Sequence, residues 1–241
     1  MLYIIGLGLH DERDLTLKAL DILQKCHKIY AEFYTNIWQG DITKLEKMIK
    51  NNIIILEREK VESEFLIKES NSQDIALLVP GDPLSATTHF ELIALARQNN
   101  IKYEIIHAPS IYTAIAETGL QLYKFGRSTT LPRMQKGFEP TSPYDVIQSN
   151  KKLGYHTLVL LDIGMTAIEG LQNLIKLEER LGKNIISTKD NAIICTKLGG
   201  GGKIIYNTIE NLIKSNTTET PAVIIIPGNM NFKEEEYLKQ L

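Results

Sequence analysis

The chain has 241 residues, of which 43% are hydrophobic and 23% are charged, and its formal net charge is -2. This length permits one large α/β domain or two of ordinary size, and the composition is typical of a soluble globular protein. Binding to a nucleic-acid backbone is not expected, because such proteins usually carry a marked excess of Lys and Arg.

The sequence contains no pattern typical of export, membrane insertion or metal binding. Met1–Gly6 lacks the basic start of a signal peptide. The longest apolar runs, Leu158–Leu161 and Ala222–Ile226, are far shorter than the ~20 residues that span a bilayer. Cys26 and Cys195 lie far apart and predict reduced thiols, and the five histidines lack the spacing of metal ligands. We therefore expect a cytoplasmic protein with no membrane partner and no metal site.

Short apolar runs alternate with amphipathic stretches along the first half of the chain. The predicted strands are Leu2–Ile5, Lys28–Glu32, Ile53–Leu56, Ile75–Pro80 and Tyr103–His107, and the predicted helices lie around Leu15–Leu23 and Thr88–Arg97. Strands that alternate with helices favour a mostly parallel sheet with helices on its faces.

The second half departs from this alternation. Gly126–Asn150 contains three prolines and many polar residues, and it predicts a long connection or flap. The strands predicted after it are Thr157–Ile163, Ala192–Lys197 and Ala222–Pro227, and the helices are Ala167–Leu181, Ile209–Lys214 and Lys233–Leu241. We predict two α/β domains, 1–108 and 109–241, with a hinge near Ala108–Ser110 and a ligand cleft between them.

A glycine pair, Gly6-Leu7-Gly8-Leu9, directly follows the first predicted strand. Glycine lets the backbone turn tightly and lets a ligand approach. A dinucleotide-binding loop would have a third glycine where Asp11 stands, and an acidic residue about 20 residues further on, a place that Glu32 could take. A nicotinamide enzyme therefore remains an alternative, as does a plain strand-to-helix turn.

Pro80–His89 joins a predicted buried strand to a helix, which is where open α/β sheets bind ligands. Asp82 is expected to project at the edge of the cleft. Ser85 or Thr87 could cap the helix that follows, and Ser110 could cap another. The competing interpretation is that Gly-Asp-Pro is only a turn.

The run Gly199–Gly202 followed by Lys203 looks superficially like a phosphate-binding loop. That motif needs Ser or Thr after the lysine, where this chain has Ile204, and its first glycine is also missing. We instead predict a hairpin whose strands are Ile193–Leu198 and Lys203–Tyr206.

Taken together, the motifs resemble one superfamily. Gly6–Leu20, with its Leu-Thr-Leu-Lys-Ala helix, resembles the opening of the tetrapyrrole methylases, and Val79–Leu84 resembles their Gly-Asp-Pro motif. Ala86–His89, His107–Ile111 and Gly154–Ile163 narrow the resemblance to the diphthine synthase family, in its archaeal form. The resemblance extends over essentially the whole chain.

The resemblance implies a homodimer of two-domain α/β chains that bind S-adenosyl-L-methionine in the cleft between the domains. By motif position, the cofactor contacts would be Leu9, Asp82, Ser85, Ser110, Ile111, Leu161, Leu198 and Asn231. The sequence departs from the family pattern at Asn231, where a histidine is expected, and at Gly199–Gly202, which replaces a more varied turn.

The implied reaction is N-methylation of the amino-carboxypropyl-modified histidine of translation elongation factor 2, on the way to diphthamide. The leaving group is a neutral thioether, so no metal or acid has to assist its departure. The amine must be neutral to attack, and the sequence identifies no catalytic base. The alternatives are a tetrapyrrole C-methyltransferase of the same fold, a nicotinamide oxidoreductase and a non-catalytic binding module.

Overall fold

The computed structural model describes residues 1–241 and divides into two compact units, Met1–Ala114 and Ile115–Leu241. Each unit contains one five-stranded sheet with helices packed on it, so the predicted α/β class is confirmed. The boundary between the units lies between Ala114 and Ile115, six residues beyond the end of the predicted first domain at Ala108.

The first unit is an open parallel sheet. Its strands are β1 (Leu2–Gly6), β2 (Lys28–Ala31), β3 (Ile53–Ile55), β4 (Ile75–Val79) and β5 (Tyr103–Ile106), and its helices are α1 (Leu17–Leu23), α2 (Ile42–Ile49), α3 (Arg58–Val61), α4 (Phe65–Ser70), α5 (Phe90–Gln98) and α6 (Ile111–Ala114). The strand order is β3-β2-β4-β1-β5, and every pairing is parallel. All five predicted strands form, and the predicted parallel arrangement is confirmed.

Both faces of this sheet are covered, which explains why its central strands are apolar at every position. Ile4 and Leu77 point into one buried cluster, whereas Ile5 and Leu78 point into the cluster on the opposite face. Parallel sheets are normally buried on both faces in this way. The buried strands hold the loops at their carboxyl ends in fixed places.

The second unit is mostly antiparallel. Its strands are β6 (Thr129–Leu131), β7 (Thr157–Leu161), β8 (Asn191–Thr196), β9 (Lys203–Thr208) and β10 (Ala222–Ile226), and its helices are α7 (Ser142–Leu153), α8 (Ala167–Leu181), α9 (Ile209–Lys214) and α10 (Phe232–Leu238). The strand order is β6-β7-β10-β8-β9, and only β6 and β7 pair in parallel. The predicted hairpin around Gly199–Gly202 is confirmed as the antiparallel pair β8–β9.

The prediction that Gly126–Asn150 is an irregular connection or flap is wrong for much of its length. The segment supplies the edge strand β6 and most of α7. Pro143 lies in the first turn of α7, where a missing amide hydrogen costs little. Tyr144 and Ile147 on this helix are fully buried, so tertiary packing stabilises a segment whose composition indicated a loop.

The core of the second unit is a single cluster to which both the strands and the long helix contribute. Val159 and Ile224 of the sheet pack with Leu171 and Leu174 of α8. Both cysteines of the chain are buried and unpaired. None of the ten helices combines the length and the apolar character needed to cross a bilayer.

Candidate functional site

Three loops follow adjacent parallel strands of the first unit and meet at the carboxyl edge of its sheet. Strand β1 lies between β4 and β5. The loop after β1 contacts the loop after β4, because Gly8 N donates to Gly81 O at 3.2 Å and Gly81 N donates to Gly8 O at 2.8 Å. This edge is where open α/β sheets bind ligands.

Gly6, at the end of β1, lets the neighbouring loops close over it. A Cβ at this position would lie 2.5 Å from Gly81 O and 2.6 Å from Ala108 Cβ. No ordinary side chain fits at such distances, so the residue must be glycine. Because Gly6 lacks a side chain, the segments after β4 and β5 lie close together.

Asp14 organises the loop after β1, and no motif in the sequence indicates this role. Its Oδ2 accepts hydrogen bonds from Leu9 N at 2.9 Å and from His10 N at 2.7 Å. Gly8 has a φ of +78°, and a Cβ there would lie 2.2 Å from Asp14 Cβ. The candidate Leu9 is therefore held by its own backbone.

The features expected of a dinucleotide site are absent from this loop. Asp11, which replaces the third glycine, caps a short 3-10 turn by accepting from Arg13 N at 3.0 Å. Glu32 is fully buried and accepts hydrogen bonds from Tyr34 N and from the backbone and hydroxyl of Thr35. Burial raises its pKa more than these hydrogen bonds lower it. A buried carboxylate with these partners does not fit the role of a ribose-binding acid.

Asp82 lies in the centre of the loops at this edge, and it does not project as the sequence predicts. Its Oδ1 accepts from Leu84 N at 3.0 Å and from Ser85 Oγ at 3.1 Å. Its Oδ2 lies 2.7 Å from His107 Nδ1 and accepts from Ala108 N at 3.4 Å. The side chain is only 9% exposed. Asp82 therefore joins the loop after β4 to the end of β5.

These contacts determine the charge of Asp82. Burial alone would raise the pKa of its carboxyl group, but the hydrogen bonds from Leu84, His107 and Ala108 outweigh burial and lower it. Asp82 is therefore ionised at neutral pH and acts only as an acceptor.

The predicted helix caps are partly wrong. Ser85 donates to Asp82, and the Thr87 hydroxyl donates to Pro83 O at 2.9 Å, so neither caps α5. That helix begins at Phe90 without a side-chain cap, because the chain makes a further turn through Ala86, whose φ is +58°.

Ser110 caps a helix as the sequence predicts. Its Oγ accepts from Tyr112 N at 3.3 Å, and its carbonyl accepts from Thr113 N and Ala114 N. The candidate Ile111 is the first residue of this helix, α6, and is half-buried. The cap therefore holds both predicted cofactor residues of this loop in place.

The other three candidates, Leu161, Leu198 and Asn231, lie in the second unit, each at or near an end of a different element. Leu161 ends β7 and is half-buried. Leu198 begins the turn of the β8–β9 hairpin and lines an open cavity of about 400 Å³ together with Glu117, Gly199–Gly202 and Leu241.

Asn231 has a well-defined local role. Its Oδ1 accepts from Lys233 N and Glu234 N at the start of α10, and its Nδ2 donates to Gln121 Oε1 at 3.2 Å. In return, Asn231 N donates a hydrogen bond to Glu234 Oε2, which completes a capping box. The amide that replaces the expected histidine is thus used to begin a helix.

A second buried polar cluster lies between the end of β2 and the start of α5. His89 Nε2 is 3.7 Å from Glu32 Oε1, and neither ring nitrogen of His89 nor the hydroxyl of Tyr34 has a hydrogen-bond partner. Burial lowers the pKa of His89, so its ring is neutral at physiological pH. No group of three or more His, Cys, Asp or Glu side chains is placed to hold a metal ion.

Comparison with known proteins agrees with this geometry. The tetrapyrrole (corrin/porphyrin) methylase family matches residues 1–213. A diphthine synthase of Methanococcus maripaludis strain C5 is 47% identical, with 100% of this chain and 98% of the relative covered. The diphthine synthase of Methanocaldococcus jannaschii is 44% identical at the same coverage.

The chain belongs to the diphthine synthase family.

Solved structures lead to the same family. A crystal structure of diphthine synthase superposes with a TM-score of 0.91 at 31% identity, covering 100% of this chain and 95% of the other. An Entamoeba histolytica protein gives a TM-score of 0.93 at 30% identity, with 100% and 97% covered.

Family membership confirms the predicted methyltransferase activity in diphthamide biosynthesis and the predicted two-sheet α/β fold. Both of these full-length relatives are diphthine synthases, so the comparisons support neither the tetrapyrrole C-methyltransferase nor the nicotinamide oxidoreductase. The individual cofactor contacts stay predictions.

Proposed function

We propose that this chain transfers methyl groups from S-adenosylmethionine to the amine of the amino-carboxypropyl-modified histidine of elongation factor 2. The observation that carries the proposal is the 47% identity to a diphthine synthase over the full chain. The ordered loops at the carboxyl edge of the first sheet support it, because they place polar groups and glycines where such sheets hold ligands.

The residues of the first unit fit the proposed cofactor chemically. Gly81 has a φ of +72°, and a Cβ there would meet no atom within 4 Å, so there is open space beside the loop backbone. Leu9 and Ile111 offer apolar surface, and Ser85 and Ser110 carry hydroxyl groups. We propose Asp82 as a contact and as the residue that shapes the loop, and Leu161, Leu198 and Asn231 as further contacts.

The work left to the protein is mainly positioning and control of protons. When bound, S-adenosylmethionine supplies an electrophilic methyl group on a sulfonium whose departure leaves a neutral thioether. The loops after β1, β4 and β5 would hold the reacting groups in line, and such positioning is a large part of the rate enhancement. The acceptor amine must also lose its proton before it attacks.

Isothermal calorimetry with S-adenosylhomocysteine tests the cofactor. We expect binding of this ligand and no comparable binding of NAD. Asp82→Ala should weaken binding at least about tenfold, equivalent to about 1.4 kcal/mol, because four hydrogen bonds that shape the loop are lost. Asp21→Ala, at an exposed position on α1, is the control and should bind normally. Tight NAD binding without adenosyl binding would contradict the proposal.

Mass spectrometry tests the acceptor. Elongation factor 2 that carries the unmethylated amino-carboxypropyl histidine is incubated with the chain and S-adenosylmethionine. We expect the modified histidine to gain mass in steps of one CH₂ group, and chelators to leave the rate unchanged. If the protein's mass stays constant while a tetrapyrrole is methylated, the assignment moves to the C-methyltransferase alternative.

We also propose that the chain works in the cytoplasm as a homodimer. The family resemblance is the main support for both statements. Several large apolar side chains, among them Leu17, Tyr123 and Phe232, are more than two-thirds exposed in the single chain. Exposed apolar surface of this kind is consistent with a partner.

A further inference from the structure

His107 and Asp82 form a dyad at the carboxyl edge of the first sheet. His107 directly follows β5, and its Nδ1 lies 2.7 Å from Asp82 Oδ2. The carboxylate is 9% exposed, whereas the imidazole is 68% exposed. A buried carboxylate therefore holds one nitrogen of a ring that solvent and ligands can reach.

The hydrogen bonds of Asp82 determine which nitrogen of His107 carries the proton. Asp82 is ionised and can only accept, so the proton of a neutral His107 ring sits on Nδ1. The lone pair is then on Nε2, which makes no hydrogen bond within the chain. A carboxylate that fixes the tautomer in this way also stabilises the imidazolium that forms when Nε2 takes a proton.

The other four histidines lack this combination of a bound Nδ1 and an accessible Nε2. His89 and His156 are buried. His10 has a buried Nδ1 without a partner, and its Nε2 lies 3.7 Å from Asp11. His27 is exposed, and no carboxylate orients its ring.

We propose that His107, oriented by Asp82, is the general base that deprotonates the acceptor ammonium. His107 Nε2 takes the proton from the ammonium nitrogen and becomes an imidazolium beside the Asp82 carboxylate. The freed lone pair of the amine forms the new N–C bond to the methyl group, and the electrons of the broken C–S bond stay on sulfur. The imidazolium then releases its proton to water, which restores the base for the next methyl group.

This inference rests on the proposed function, and it gives Asp82 a second role. The sequence alone supplied no catalytic base. His107 is 25 residues from Asp82 along the chain, and the two meet because Gly6 lets the loops after β4 and β5 close over β1.

The test compares methylation of precursor-bearing elongation factor 2 by the wild-type chain, His107→Ala and His107→Asn. Asparagine can still donate to Asp82 but has no basic nitrogen. We expect kcat to fall about 100-fold in both variants at pH 7. S-adenosylhomocysteine affinity should stay within about twofold in His107→Asn. The deficit should shrink at high pH, where the amine loses its proton unaided. His27→Ala is the matched control and should keep wild-type rates.

A spectroscopic measurement on the chain alone tests the dyad without turnover. The ¹⁵N shifts of labelled histidine should show His107 with its proton on Nδ1 and a bare Nε2, and Asp82→Asn should change this pattern. A proton on Nε2 in the wild-type chain would overturn the proposal, as would a His107→Asn variant within about threefold of wild-type kcat. If the wild-type chain does not methylate the acceptor, the proposed function fails and this inference fails with it.

Discussion

Glu234 is a buried carboxylate that no sequence motif indicates, and it anchors the end of the second unit. It is 1% exposed and pairs with Lys124, and it accepts hydrogen bonds from Gln121 N at 3.0 Å, Asn231 N at 2.8 Å and His156 Nε2 at 3.3 Å. His156 Nδ1 in turn accepts from Gly228 N, so the ring must carry its proton on Nε2. Glu234 thus joins α10 to two other segments. One precedes β6 and carries Gln121 and Lys124, and the other carries His156 and lies between α7 and β7.

We predict that Glu234→Ala lowers the free energy of unfolding by about 3–5 kcal/mol, because it leaves donors, among them the ammonium of Lys124, without their partner. Urea denaturation followed by circular dichroism measures the change. Glu236→Ala, on the same helix, removes an exposed pair with Lys233 and should cost no more than about 1 kcal/mol. Equal losses in the two variants would contradict the role assigned to Glu234.

The same carboxylate predicts how stability depends on pH. Burial acts to raise the pKa of Glu234, but the hydrogen bonds from Lys124, Gln121, Asn231 and His156 outweigh it and lower the pKa to about 2. The unfolded chain, with an ordinary glutamate pKa of 4.5, then binds more protons than the folded one as the pH falls. The resulting stabilisation, about 3 kcal/mol from this group, is complete above the ordinary pKa and is lost between pH 4.5 and about 2.

Denaturation midpoints measured from pH 7 down to about pH 2 check this dependence. Glu178, whose pKa is also lowered to about 2, contributes in the same direction, whereas the raised pKa of Glu32 opposes it. Glu234→Gln should be less stable at pH 7 and should lose less stability on acidification. If the free energy of unfolding of this variant falls with decreasing pH as steeply as that of the wild type, the assignment is wrong.

At the scale of elements, the glycine-rich turn of the β8–β9 hairpin has a steric rather than a nucleotide-binding role. A Cβ at Gly202 would lie 1.7 Å from Thr196 O and 2.5 Å from Lys197 C. Lys203, the residue that suggested a phosphate loop, instead pairs with Glu219 at 2.8 Å. The run therefore lets two strands turn closely against each other.

Alanine substitutions within this turn test its steric role. We expect Gly202→Ala to destabilise the chain by about 3 kcal/mol, because backbone atoms must move to admit the new carbon. Gly201→Ala is the matched control: its Cβ would meet nothing within 4 Å, so only its φ of +75° costs energy, about 1 kcal/mol. Thermal unfolding measures both. Lys203→Ala should leave stability nearly unchanged. It should also leave any measurable ATP affinity of the chain unchanged.

At the scale of the whole molecule, the proposed homodimer makes a direct prediction about mass. Light scattering at micromolar concentration should give twice the 27.2 kDa of one chain, since specific dimers normally bury enough surface to persist there. Leu17→Glu and Phe232→Glu each place a charge on an exposed apolar position and identify which surface the dimer uses. A stable single-chain mass for the wild type would contradict the dimer.

The sequence by itself determined the order of elements and the places where ligand loops begin. Strands such as β1 and β4 were predictable because apolar runs directly precede glycine-containing loops, and α8 was predicted with the bounds that it has. These features follow from local periodicity and turn chemistry, which neighbouring residues alone determine. The prediction of a flap at residues 126–150 is wrong because packing of Tyr144 and Ile147 outweighs an unfavourable local composition.

Only the tertiary structure decided which polar side chains meet. His107 contacts Asp82, and His156 contacts Glu234, across 25 and 78 residues of chain respectively. Neither pair has a local signal, because each contact depends on strand order and on which loops close together. Burial of polar side chains likewise depends on tertiary packing. By its position in the sequence, Glu32 could take the place of the acid in a dinucleotide site, but packing around β2 buries it completely. The charges, tautomers and accessibility on which the chemistry depends are therefore properties of the folded chain.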